Sequence, residues 1–155
     1  MFNLAALALL LAATPAAPSP SPLPAITLGA PKAVLHLEVA RTEPQREYGL
    51  MNRTSMPAHH GMIFVFDGDG ELAFWMKDTL VPLDMIYVAP DGTVRKVYAN
   101  VAVVPPSLPD DRIPREVGTG KYVIELSAGE AAKDGITEGV KLNVAGVPGS
   151  LPSPL

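Results

Sequence analysis

Residues 61–66 read Gly-Met-Ile-Phe-Val-Phe, with no polar side chain at any position. Strand side chains alternate between two faces, so this run has no face to offer water and is predicted to be a buried central strand. Shorter segments with strand character surround it. In residues 34–39, Leu35, Leu37 and Val39 alternate with His36 and Glu38, as in a half-buried strand. After a turn at Asp67-Gly68-Asp69-Gly70, residues 72–76 are expected to return as the next strand. Residues 84–88 and 93–98 flank Ala89-Pro90-Asp91-Gly92, a strong hairpin signal. Residues 122–126 form a further strand, and Val140, Leu142 and Val144 alternate with Lys141 and Asn143 in a last one.

Two short helices interrupt this series. Thr42 is placed to cap one, with Gln45 completing a capping box and Pro44 tolerated in the first turn. Ser127 is expected to cap the other, with Glu130 at the capping-box position and Gly135 just past its end. Residues 101–120 carry four prolines and read as a long covering loop. The expected fold is mainly β (α+β): a small antiparallel, barrel-like domain of six or more short strands with two short helices.

The ends differ in composition from this middle. Met1-Phe2-Asn3-Leu4 opens an uncharged apolar run that ends in small residues near Ala16-Ala17. It is too short for a membrane-spanning helix and fits the core of an export signal. The expected organisation is an export signal at residues 1–17 and a Pro/Ala/Ser linker at 18–31. A single domain follows at 32–146, and a disordered Pro-rich tail at 147–155. The implied location is periplasmic or secreted, with no stable membrane insertion after signal cleavage. The chain has no cysteine, which excludes disulfides, thiolate metal sites and thiol nucleophiles. A formal charge of −4 without a basic stripe argues against a nucleic-acid partner.

Four ordered blocks carry a family resemblance. They are Arg46-Glu47-Tyr48-Gly49-Leu50-Met51-Asn52-Arg53, the 61–66 run, Phe74-Trp75-Met76-Lys77-Asp78-Thr79 with Leu83-Asp84, and Tyr122-Val123-Ile124-Glu125-Leu126-Ser127-Ala128-Gly129 with Gly135-Ile136. Together they resemble the signature blocks of the bacterial and archaeal DUF192 family, over nearly the whole domain. The resemblance implies a small β-rich fold, often behind an export signal, and brings no accepted activity or substrate with it. It also implies Asn where this chain has Asp78. Residues 101–120 lack the small polar, tyrosine-bearing pattern of the corresponding family region.

The candidate ligand-binding residues are Trp75, Lys77, Asp78, Asp84, Glu125, Arg46 and Arg53. Strand alternation would put Trp75 and Lys77 on one face, where Trp75 is either a stacking platform or a core plug. Asp84 is either a catalytic carboxylate paired with Asp78 or Glu125, or a backbone-binding group at a strand start. Glu125 interrupts an apolar strand, so it faces solvent or needs a partner such as Arg46 or Arg53. The two arginines form an anion clamp or anchor the first helix to the sheet. His59-His60 lack a recognisable third ligand, and Asp67-Gly68-Asp69-Gly70 lacks the glycine a calcium loop requires at its sixth position. No metal and no cofactor are expected, and the catalytic residues are unknown.

The preferred reading is a non-catalytic binding or accessory module. It would hold a small polar ligand or a cell-envelope component near Trp75, Lys77 and Asp84. The alternatives are a small carboxylate-dependent hydrolase or lyase, and a structural partner-binding protein. The oligomeric state stays open.

Overall fold

The computed structural model describes residues 22–149. In chain order its elements are β1 (Ala25–Gly29), β2 (Val34–Ala40), α1 (Glu43–Tyr48), β3 (His60–Trp75), β4 (Leu83–Val88), β5 (Val94–Val101), β6 (Arg115–Ser127) and α2 (Glu130–Lys133). A single turn of 3-10 helix, Asp110–Arg112, precedes β6. The six strands form one sheet in the order β1-β2-β3-β6-β4-β5. The apolar run begins β3, which lies between β2 and β6 near the middle of the sheet.

Alternation along the central strands gives the sheet two apolar faces. Ile63, Val65, Ile124 and Leu126 face one side, which Ala131 of α2, Ile136, Leu142, Val144 and Val147 cover. Met62, Phe64, Val123, Met85 and Tyr87 face the other side, with Ala40 and Leu50 and the partly buried Phe66, Leu72 and Phe74. A sheet covered on both faces needs central strands without a polar side, which is what residues 61–66 supply.

The local signals at the first helix act as expected. Thr42 accepts the backbone N–H of Gln45, and the Gln45 side chain accepts the backbone N–H of Thr42, closing the capping box. The second helix departs at its start. Its N-cap is Gly129 in the left-handed region, with no side-chain cap of its own. Its end follows the glycine signal: Gly135 has φ +75°, and Ile136 N–H reaches Ala131 O at 2.8 Å, as in a Schellman ending.

Several expectations are corrected. The sheet is mixed, because β2 and β3 pair in parallel through a connection containing α1. It is also open: β1 and β5 are its two edges and do not pair with each other, so the barrel-like form is not observed. Asp67-Gly68-Asp69-Gly70 does not end a strand. β3 runs on through a register shift against β6 between Val65 and Gly70, and residues 70–75 continue the ladder with residues 115–120. Part of the expected 101–120 loop is therefore strand. The last expected strand is reduced to one bridge, Thr93 with Lys141.

Both ends of the fold also extend past their compositional limits. β1 lies inside the expected 18–31 linker, because Ile26 and Leu28 can pair and pack against β2. At the other end, Val147 is 2 % exposed and the carbonyl of Gly149 accepts Lys121 Nζ at 2.6 Å, so the tail begins later than position 147. The expected signal, residues 1–17, and the end of the tail, residues 150–155, lie outside the described residues. Among the described residues no helix is long and apolar enough to cross a membrane.

Candidate functional site

β6 places Glu125 in the interior. In register it stands between Met62 of β3 and Met85 of β4. Alternation turns its side chain to the sheet face that carries Phe64, Val123 and Tyr87. The residue is 4 % exposed, and no described residue hydrogen-bonds to its carboxyl or forms an ion pair with it. Neither Arg46 nor Arg53 is its partner, contrary to expectation. Burial without a counter-charge pushes its pKa up to about 8.

The carboxyl lines a cleft of about 390 Å³ between α1, the bent part of β3 and β6. Phe64, Phe66, Phe74 and Trp75 supply its aromatic wall. Phe74 meets Phe64 edge-on at 4.8 Å between centroids, which fixes the ring orientations. Trp75 is covered by two cations: Arg115 Cζ lies 4.3 Å from its ring centre and Lys77 Nζ 5.2 Å. Lys77 is also paired with Asp110 at 2.5 Å, which raises its pKa.

The structure brings Trp75, Lys77, Arg46 and Glu125 to this cleft and leaves Arg53, Asp78 and Asp84 out of its lining. Trp75 ends β3, so Lys77 lies beyond the strand and reaches the tryptophan from the following turn, not by strand alternation. Arg46 Nη1 donates to the carbonyls of Arg41 and Val65, and its guanidinium lies over Phe66 at 4.7 Å. Arg53 instead forms a two-pronged ion pair with Glu38, at 2.6 and 2.8 Å. That pair lowers the Glu38 pKa, chiefly through the hydrogen bond. The arginines thus make separate contacts and do not form one anion clamp.

Asp84 is fully buried and spends both oxygens on backbone. Oδ1 accepts Asn100 N–H at 2.8 Å and Oδ2 accepts Ala131 N–H at 2.9 Å. It therefore caps α2 from β4, which explains why Ser127 is not needed for that role. Its register partner, Leu126, belongs to the face opposite Glu125, so these two carboxyl groups cannot share a proton. Asp78 is exposed at φ +49°, a conformation that Asn and Asp adopt most readily among residues with a side chain.

Two features have no clear signal in the sequence. Arg115 lies in a segment that reads as loop, and only its register opposite Trp75 brings it over the ring. The second is a cluster of His59, Glu130 and Asp134, whose possible ligand atoms lie within 4.8 Å of one another. His59 Nδ1 is 2.9 Å from Asp134, His59 N–H donates to Glu130 at 3.1 Å, and Lys133 pairs with Glu130 at 3.0 Å. These groups satisfy one another and tie the loop before β3 to α2.

Comparison with known proteins places this geometry in a family. The chain is similar to a crystal structure from Sinorhizobium meliloti 1021 described as a "putative transcription regulator". Identity is 35%, with 76% of this chain and 89% of that chain covered and a TM-score of 0.65. It is also similar to a protein of unknown function from Novosphingobium aromaticivorans DSM 12444. Here identity is 30%, with 83% and 94% covered and a TM-score of 0.67. No curated protein matches it. The profile of DUF192, described as "Uncharacterized ACR", matches residues 26–144, and the chain belongs to that family.

Proposed function

We propose that this protein is an exported, non-catalytic binding module whose cleft holds a small ligand between the aromatic wall and Glu125. One observation carries the reading: a buried, unpartnered carboxyl faces a cleft of small-molecule size. Burying an ionisable group without a partner is costly, and a ligand that hydrogen-bonds to it removes the cost on binding. Asp84 no longer belongs to the ligand reading, because backbone groups occupy both of its oxygens. The formal charge of −4 does not favour extending the relative's description as a regulator to nucleic-acid binding here. The apolar run that begins at Met1 supports export.

A carboxyl that burial keeps protonated up to about pH 8 also suits a general acid, which favours the hydrolase or lyase reading as second choice. The partners that reading named are not at hand: Asp84 is on the other face, Asp78 lies outside the lining and Lys77 is engaged by Asp110.

Trp75 is the single tryptophan, so its fluorescence reports the cleft directly. A panel of sugars, peptides, organic acids, amines and envelope fragments should contain a compound that shifts this emission. At a hundredfold excess over Kd the compound should stabilise the protein by about 2.7 kcal/mol. Trp75→Ala should abolish the stabilisation while the variant remains folded. A panel that moves neither signal refutes the proposal, and turnover of a bound compound that is lost in Glu125→Gln selects the enzymatic reading.

A further inference from the structure

We propose that the ligand of this cleft carries an ammonium group at one end and a carboxylate at the other, with the ammonium meeting Glu125 and the carboxylate meeting Arg115. This rests on the binding role proposed above and adds the chemical class of the ligand.

None of the cleft's three cations, Arg46, Lys77 and Arg115, forms an ion pair with Glu125. Arg46 is held by two backbone carbonyls and stacked on Phe66, and Lys77 is held by Asp110. Without a counter-charge the carboxyl keeps its proton at neutral pH, and a positive charge brought by the ligand supplies what its ionised form lacks. An ammonium group meets the need twice, by pairing with the carboxyl and by resting against ring faces. Phe64 and Phe74 line the cleft together with Glu125. A hydroxyl would satisfy the hydrogen bond but would supply no counter-charge.

Arg115 has the opposite deficit. Its guanidinium is stacked over Trp75 at 4.3 Å, and among the described residues it has no hydrogen-bond or carboxylate partner. With no carboxylate engaging them, its N–H groups can make a two-pronged carboxylate contact. Arg115 is exposed and Glu125 buried, so the ligand would enter ammonium first. Glu43 and Glu47 of α1 also line the cleft, and their negative charge helps to draw the ammonium end in. A volume of about 390 Å³ excludes a polymer, and because Arg115 and Glu125 stand ten positions apart on β6 the two charges belong at opposite ends of an extended molecule, such as a straight-chain amino carboxylate or a very short peptide.

Pairing with an ammonium favours the charged form of Glu125. Binding near neutral pH should therefore expel a proton from this carboxyl.

The test is calorimetric titration of the exported chain, with Trp75 fluorescence as a parallel readout. The probes are straight-chain amino carboxylates of increasing length and very short peptides. Each is matched with its N-acetyl derivative and with the amine lacking the carboxylate. A zwitterion should bind, and N-acetylation or Glu125→Gln should weaken it by about tenfold or more, since each removes a charged contact. Arg115→Gln should weaken the zwitterion by about tenfold and leave the amine without a carboxylate unaffected. Heats in two buffers of different ionisation enthalpy should show net proton release that disappears in Glu125→Gln.

Equal binding of the N-acetyl derivatives, or full affinity in either folded variant, overturns the ligand class while leaving the binding role standing. Zwitterions that fail where other compounds of the broad panel bind likewise overturn the ligand class alone. If no compound of either panel binds, the binding role falls and the ligand class falls with it.

Discussion

Two carboxylates on adjacent strands, Asp84 and Glu125, meet opposite fates because they leave opposite faces of the sheet. Asp84 accepts two backbone N–H groups and caps a helix. Glu125 has no such partner and holds its proton up to about pH 8. From about pH 4.5, where the unfolded chain gives up this proton, to about pH 8, the folded state binds more protons. Stability therefore falls as pH rises through that window, by at most about 1.4 kcal/mol per pH unit from this group. Glu125→Gln should flatten this slope and be more stable than the parent at pH 8, as read by urea denaturation across pH. Asp84→Ala should act the other way. It orphans the buried Ala131 N–H and removes the part-buried bond from Asn100 N–H, and should cost about 2–4 kcal/mol without altering a ligand's affinity for the cleft.

The β3–β6 pairing carries the cleft, and its closest approach depends on a residue without a side chain. At Gly61 a Cβ atom would lie 2.0 Å from the backbone oxygen of Glu125, where no side chain fits. Gly61→Ala should push the two strands apart, cost about 3 kcal/mol or more, and blunt the Trp75 response to ligand. Loss of stability by chemical denaturation and loss of binding would then appear together. The Glu38–Arg53 pair between β2 and the segment after α1 has good geometry but is about one-third exposed on each side, at 32% and 34%. Solvent screens such pairs, so a double-mutant cycle should return a coupling of about 0.5–1 kcal/mol. α1 is legible in the sequence because its cap lies within four residues of chain. α2 is legible only at its glycine end, because its N-terminal cap comes from β4, 47 positions away in sequence.

Across the whole molecule, the limits of the folded unit do not coincide with changes in composition. β1 lies in proline-rich sequence, yet it forms the edge of the sheet and contributes Leu28 to the core. Removing residues 1–31 should therefore lower the melting temperature clearly relative to removing residues 1–21, because the first cut strips β1 and uncovers the edge of β2. Differential scanning calorimetry of the two truncated chains would check this. If both melted alike, β1 would contribute nothing to stability.

Whatever is local or ordered along the chain can be read from its residues. The all-apolar 61–66 run marks a strand buried on both faces, Ala89-Pro90-Asp91-Gly92 marks a hairpin, Thr42 and Gln45 mark a helix start, and four ordered blocks mark the family. Which strands meet is settled only by the folded chain: the parallel contact of β2 with β3, the reduction of residues 140–144 to one bridge, and the continuation of β3 through its bulge. The same holds for the site. Alternation shows that Glu125 breaks an apolar strand, but not whether water, an arginine or an apolar cleft lies on the other side. That depends on Arg46, Arg53 and Lys77 each being held elsewhere and on Arg115 arriving over Trp75. Periodicity and capping report forces within a few residues, whereas the charge balance of a buried carboxyl is set by groups that only the fold brings near.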